Sequence, residues 1–214
     1  MRSTTRLLAL LVPTALLFAA CGDDADSSST TTSPPADGVT APDGLVSDGT
    51  ITICSDTPYE PFEFQDDSGN DTGFDIDLVA AIGDQAGLDT SVIDLPFDGI
   101  LGSLAAGDCD VVASAVTITD ERAQQVDFST PYFDADQSLL IKADNTEISA
   151  IADLDGKTVG VQTGTTGEAY ANDNATGATV KSFEDADGLF AALESGDIQA
   201  ILQDLPVNGY RSTK

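Results

Sequence analysis

From Gly49 onward, short apolar runs alternate with stretches whose apolar positions recur every three or four residues. Ile51-Thr52-Ile53-Cys54 has the character of a buried strand, whereas Phe74, Ile76, Leu78, Val79 and Ile82 form a helical stripe that ends near Gly87. The alternation repeats: 91–95 is strand-like, 97–106 helical, 110–115 strand-like and 120–126 helical. Past Pro131, residues 138–142, 158–162, 179–183 and 199–203 are strand candidates separated by helical stretches. This βαβα order predicts an α/β fold with a mostly parallel sheet, or two such sheets.

The chain also echoes itself. Residues 104–112, Leu-Ala-Ala-Gly-Asp-Cys-Asp-Val-Val, match 193–201, Leu-Glu-Ser-Gly-Asp-Ile-Gln-Ala-Ile, in pattern: helix, Gly-Asp turn, apolar strand. A duplicated lobe explains this, and so does chance reuse of a common turn. Ser114 and Gln203 hold equivalent places near the carboxyl ends of the two strands, where open α/β sheets bind ligands. Residues 115–122 and 204–206 are therefore the first places to seek chemistry.

Residues 1–48 have a different pattern. Arg2 and Arg6 precede a 14-residue apolar stretch, 7–20, too short to span a bilayer and suited to a secretory signal. The junction Leu17-Phe18-Ala19-Ala20-Cys21-Gly22 resembles a bacterial lipobox, which would make Cys21 the lipidated first residue of the mature protein; a plain signal-peptidase site beside an incidental cysteine is the alternative. Residues 21–48 then read as the anchor and a disordered, Ser-, Thr- and Pro-rich tether.

Charge narrows the function. The chain has 8 Lys and Arg against 37 Asp and Glu, a net charge of −29, so nucleic acid is not an expected partner. Histidine is absent and Cys numbers three, which excludes Ser-His-Asp and Cys-His nucleophiles and His- or Cys-rich zinc sites. No metal and no cofactor is expected, although a carboxylate-bound Mg²⁺ or Ca²⁺ is not excluded by composition.

Six ordered blocks carry a family resemblance: residues 56–64 (Asp-Thr-Pro-Tyr-Glu-Pro-Phe-Glu-Phe), 73–78 (Gly-Phe-Asp-Ile-Asp-Leu), 96–99 (Pro-Phe-Asp-Gly), 117–122 (Thr-Ile-Thr-Asp-Glu-Arg), 127–132 (Asp-Phe-Ser-Thr-Pro-Tyr) and 162–166 (Gln-Thr-Gly-Thr-Thr). Together they resemble the signature blocks of family 3 extracytoplasmic solute-binding proteins, the polar amino-acid receptors of ABC importers. The resemblance implies the periplasmic-binding-protein type 2 fold: two α/β lobes, each with a mostly parallel sheet flanked by helices, joined by a hinge that closes like a flytrap. It places lobe 1 at 49–135 and lobe 2 at 136–214. Family members continue some tens of residues further and return to the first lobe, a part expected to be absent here.

Arg122 can be argued without the family. It falls at the start of a predicted helix, where the positive end of the dipole disfavours a cation, so an anion should compensate it. Asp120 and Glu121 could do so in a solvated pair; a ligand carboxylate gripped by the planar fork is the other reading. Thr165 and Thr166 lie at a strand-to-helix turn suited either to capping or to an anion. Asp204 precedes Leu205-Pro206 and reads as an N-cap.

The resemblance implies specific roles. Arg122 with Thr117 takes the ligand α-carboxylate, the Ala115 carbonyl and Asp204 take its ammonium, and Thr165 and Thr166 contribute donors from the second lobe. Tyr59 and Phe97 sandwich the ligand side chain, and Asp56, Glu60 and Gln162 flank it. With no cation beside Asp56, lysine, arginine, ornithine or an uncharged polar amino acid suits the site better than glutamate. The implied protein is a monomeric, non-enzymatic receptor for a free amino acid, partnered by an ABC permease and held at the membrane through Cys21. Two rivals are a ligand-sensing receptor domain and a dehydratase on the same fold, the latter requiring a general acid in the cleft.

Cys54 is expected near the carboxyl end of its strand and Cys109 at the start of the neighbouring one. That separation exceeds the roughly 7 Å reach of a disulfide, so two buried thiols are predicted.

Overall fold

The computed structural model describes residues 39–214; the signal segment, Cys21 and most of the tether lie outside the described residues. The first sheet is parallel, with β1 (Thr50–Ser55) between β4 (Asp89–Asp94) and β5 (Val111–Val112). A short antiparallel pair, β2 (Phe64–Gln65) and β3 (Asp71–Thr72), precedes α1 (Phe74–Ala86), and α2 (Ile100–Ala106) joins β4 to β5.

The second sheet has the order β6-β9-β7-β8, formed by β6 (Gln137–Leu140), β7 (Thr158–Gln162), β8 (Thr179–Phe183) and β9 (Ala200–Asp204). The β7 pairings are parallel, and β6 runs antiparallel to β9. Helices α3 (Thr166–Asn174), α4 (Ala186–Ser195) and α5 (Leu205–Arg211) complete this half. The chain is thus mixed α/β, with parallel sheets flanked by helices.

Local chemistry explains the boundaries. Apolar residues of α4 recur at Ala186, Leu189, Phe190 and Leu193, all buried, while Asp185 caps the helix by accepting from the Gly188 amide at 2.7 Å. Gly107 and Gly196, the turn glycines of the internal echo, both adopt left-handed conformations as helix C-caps. The echo therefore has one copy entering each sheet. The predicted helix 97–106 begins only at Ile100, because Pro96-Phe97-Asp98-Gly99 makes the entry turn instead. The predicted helix 120–126 is reduced to one 3₁₀ turn, Arg122–Gln124.

The cysteine expectation is overturned: Cys54 and Cys109 form a disulfide, with Cα atoms 5.8 Å apart. Treating Cys109 as part of an extended strand caused the error. β5 starts only at Val111, and Cys109 belongs to the turn that descends from α2. It shares a buried cluster with Cys54 and Ile100, so the bond is made on the helix-covered face rather than along the strands. Closing a loop of 55 residues restricts the unfolded chain. Cys109→Ser should therefore lower the unfolding free energy by about 2–4 kcal/mol, measured by urea denaturation; superimposable curves for variant and parent would contradict the assignment.

Candidate functional site

The carboxyl ends of β1, β5, β7 and β9 deliver side chains to one narrow cleft. Asp56, Tyr59, Phe97, Ala115, Thr117, Arg122, Gln162, Thr165, Thr166 and Asp204, ten of the eleven residues given a ligand role from the sequence, line it together. Glu60 does not. Glu63, Ser114, Gln137, Gly167 and Gln203 join the lining without having been assigned a ligand role. The centre of a water molecule can occupy only about 20 Å³, so the cleft is nearly shut.

Arg122 reaches across the cleft. Its guanidinium donates to the Thr117 carbonyl at 2.9 Å and to the Gly164 carbonyl at 3.0 Å, and lies 5.3 Å from the centre of the Phe97 ring. Among the described residues it forms no close ion pair with Asp120 or Glu121, although the Glu121 charge still favours the cation. Gly164 has φ +76°, and a Cβ there would lie 3.1 Å from the Asp98 carboxylate. Glycine thus permits the turn that presents this carbonyl to Arg122.

Asp204 occupies the N-cap position of α5 without capping it through its side chain. Its carboxylate instead accepts from Tyr59 Oη at 3.1 Å and Gln137 Nε2 at 2.5 Å. Thr165, in contrast, is a working cap: its hydroxyl accepts from the Glu168 amide at 3.1 Å and donates to the Gln162 carbonyl at 2.8 Å. The neighbouring Thr166 hydroxyl faces that of Thr117 at 3.5 Å. Capping accounts for one threonine and leaves the other at the cleft.

Ala115 is the non-glycine residue at positive φ, +46°, among the described residues. Its amide donates to Asp75 at 2.7 Å, and the same carboxylate oxygen accepts from Tyr132 Oη at 2.9 Å. A buried acid thereby holds an uncommon backbone conformation at the cleft wall. Asp75 lies within the Gly-Phe-Asp-Ile-Asp-Leu block, and the helical stripe, read from its apolar positions, passed over it.

The electrostatics are acidic. Burial raises the Asp56 carboxyl to about 6, against the lowering effect of a 2.5 Å hydrogen bond from Gln162 Nε2. Burial likewise raises Asp204, offset by the bonds from Tyr59 and Gln137 and by Arg122. Glu63 is pushed well up by burial and by Asp75. Burial also lowers Arg122, which remains a cation. Among the described residues, no group of three or more acids and cysteines is placed to hold a metal ion.

Residues 51–204 match the family described as bacterial extracellular solute-binding proteins, family 3. The chain belongs to that family. It is 38% identical over 157 residues to the L-cystine-binding protein of Escherichia coli (strain K12), an alignment covering 73% of this chain and 59% of the relative. The chain thus spans about three fifths of the length of that curated relative. Among solved structures, an ancestral arginine-binding protein bound to glutamine is 40% identical with a TM-score of 0.75, over 77% of this chain and 73% of the other. An ancestral amino acid-binding protein described as a precursor of cyclohexadienyl dehydratase is 39% identical, also with a TM-score of 0.75, over 77% and 74% of the two chains.

The raised Asp56 carboxyl has a direct consequence for stability. Because the folded chain holds this proton up to about pH 6 and the unfolded chain releases it near 4, the group's contribution is present below pH 4 and is lost as pH rises through 6. Asp56→Asn should stabilise the ligand-free protein by about 1–2 kcal/mol above pH 6, after allowance for solvent screening, with the gain fading towards pH 4. Denaturation of both forms across this range checks it; a pH-independent difference would refute the assignment.

Proposed function

We propose that this chain is an extracytoplasmic receptor that captures a free polar L-amino acid, cationic or uncharged, for an ABC import permease. One observation carries the reading: Arg122 and Asp204, of opposite charge and from segments belonging to different sheets, line the same cleft. A zwitterion presents the complementary pair. Its carboxylate would replace the carbonyls that now occupy the Arg122 fork, and its ammonium would meet Asp204 and the Ala115 carbonyl. Phe97 and Tyr59 offer the aromatic walls, and Asp56 with Gln162 the polar end. The similar proteins, an L-cystine-binding protein and an ancestral arginine-binding protein bound to glutamine, support this class of ligand.

In this reading residues 49–135 and 136–214 act as lobes 1 and 2. Neither satisfies both ends of the ligand, so the ligand binds the closed arrangement better than the open one and shifts the population towards it. Closure is the signal to the permease. Cys21 serves as the lipid anchor on the outer face of the membrane, the receptor acts as a monomer, and the disulfide suits an oxidising compartment outside the cytoplasm.

A second reading has one observation in its favour. Asp56 and Glu63 hold their protons above the usual carboxyl range, as a general acid does. A dehydratase would turn over prephenate or arogenate, whereas a receptor would leave both intact.

The test is calorimetry with the twenty amino acids, followed by Arg122→Ala. The variant should lose about 2–5 kcal/mol of binding free energy, because the ligand carboxylate would be left desolvated and unpaired. Arg122→Lys should recover only part of it. Binding by Arg122→Ala within a factor of about three of the parent would show that the carboxylate lies elsewhere.

A further inference from the structure

Glu63 was passed over in the sequence because it reads as a polar position before a short strand, yet its side chain is fully buried and lines the cleft. Its backbone is fixed on both sides. The Tyr59 amide donates to the Glu63 carbonyl at 2.7 Å, and the preceding Phe62 carbonyl accepts from the Asp75 amide at 2.9 Å. Gly73 allows that close approach, since a Cβ there would fall 2.3 Å from the Phe62 oxygen. The acid is therefore held in place by the entry to α1.

One Glu63 oxygen accepts from Ser114 Oγ at 3.0 Å, and the other, Oε2, has no donor. Gln137 Oε1 and Gln203 Oε1, which line the same cleft, are also buried without a donor. The two amide oxygens are acceptors, and Glu63 Oε2 becomes one when a nearby cation favours the ionised carboxylate. Buried acceptors lacking partners carry their full desolvation penalty, so the occupant that relieves them must bring N–H or O–H groups. The charges around Glu63 point the same way: Asp75, Asp56 and Asp204 face it, with the Tyr59 and Tyr132 phenols beside them. The ion pairs formed by the described residues, Lys157–Glu147 and Arg211–Glu194, involve none of these groups. Arg122, the cation of the lining, is matched by a ligand carboxylate, and Asp204 by a ligand ammonium. Asp56 and Glu63 are then left over.

We propose that Glu63 is a specificity residue of the cleft: its buried, half-unpaired carboxyl is a seat for positively charged, donor-rich side chains, and it makes the site favour a guanidinium or ammonium ligand over a neutral one of the same shape. The proposal rests on the amino-acid receptor reading above. A guanidinium offers five N–H donors and fits a carboxyl edge-on, so it meets both the charge and the unpaired acceptors.

Calorimetry on the full chain with L-arginine and L-citrulline tests it, because citrulline keeps the shape and replaces the guanidinium with a neutral urea group. The parent should bind arginine at least about tenfold more tightly. In Glu63→Gln the preference should shrink to about threefold or less, arginine losing more than citrulline, and Glu63→Asp should fall between. A Glu63→Gln preference equal to that of the parent would overturn the proposal, showing that water or a structural partner serves Oε2. Equal affinity for the two ligands in the parent would overturn it without any variant, and so covers the case in which the variants do not fold. If the parent binds no amino acid at all, the receptor reading itself fails and takes this proposal with it; if it binds neutral amino acids only, this proposal alone fails.

Discussion

The charge balance of a narrow, nearly shut cleft constrains the rest of this structure. The Arg122 guanidinium and the carboxyl groups of Asp56, Glu63 and Asp204 converge where the centre of a water molecule can reach only about 20 Å³. Charges so placed must be paired, hydrogen-bonded or neutralised by protons. The protein uses each device: Arg122 borrows backbone carbonyls, Asp204 draws on Tyr59 and Gln137, and Asp56 draws on Gln162 while its pKa rises to about 6. Several of these bonds join segments of the first sheet's half to the second's, so the contacts that satisfy these groups also hold the cleft shut. An incoming amino acid would exchange them for stronger, charge-matched ones, which is how binding can be coupled to closure.

The supporting architecture follows from that demand. Strand ends in both sheets deliver the polar groups, and the glycine at 164 and the left-handed Ala115 bend the backbone so that carbonyls and amides face the cleft. Asp75 extends the network behind the wall by tying Ala115 to Tyr132, which lies on the crossing between the sheets.

Much of this was legible in the residues. β7 and β8 occupy the predicted 158–162 and 179–183 because apolar runs there end at turn signals on either side. Ten of the eleven positions to which the family resemblance gave ligand roles line one cleft, Glu60 being the exception, and the Gly-Asp echo marked Ser114 and Gln203 there too. What was not legible depended on tertiary approach. The disulfide needed the path of the turn beneath α2, which periodicity cannot give. The N-cap reading of Asp204 was right in position and wrong in bonding, because Tyr59 and Gln137, distant in sequence, compete for its carboxylate. Glu63 carried no signal of burial, since a single acid before a short strand reads as an ordinary exposed polar position.

The central claim is that Arg122 and a ligand carboxylate meet directly, and a double cycle tests it without any structure. Binding of L-arginine and of agmatine, its decarboxylated counterpart, would be measured by calorimetry to the parent and to Arg122→Ala. If the two groups touch, removing both should cost less than the sum of the separate losses, by more than about 1.4 kcal/mol. Losses that add to within about 0.5 kcal/mol would mean that Arg122 and the carboxylate act independently, and the site as described would be wrong.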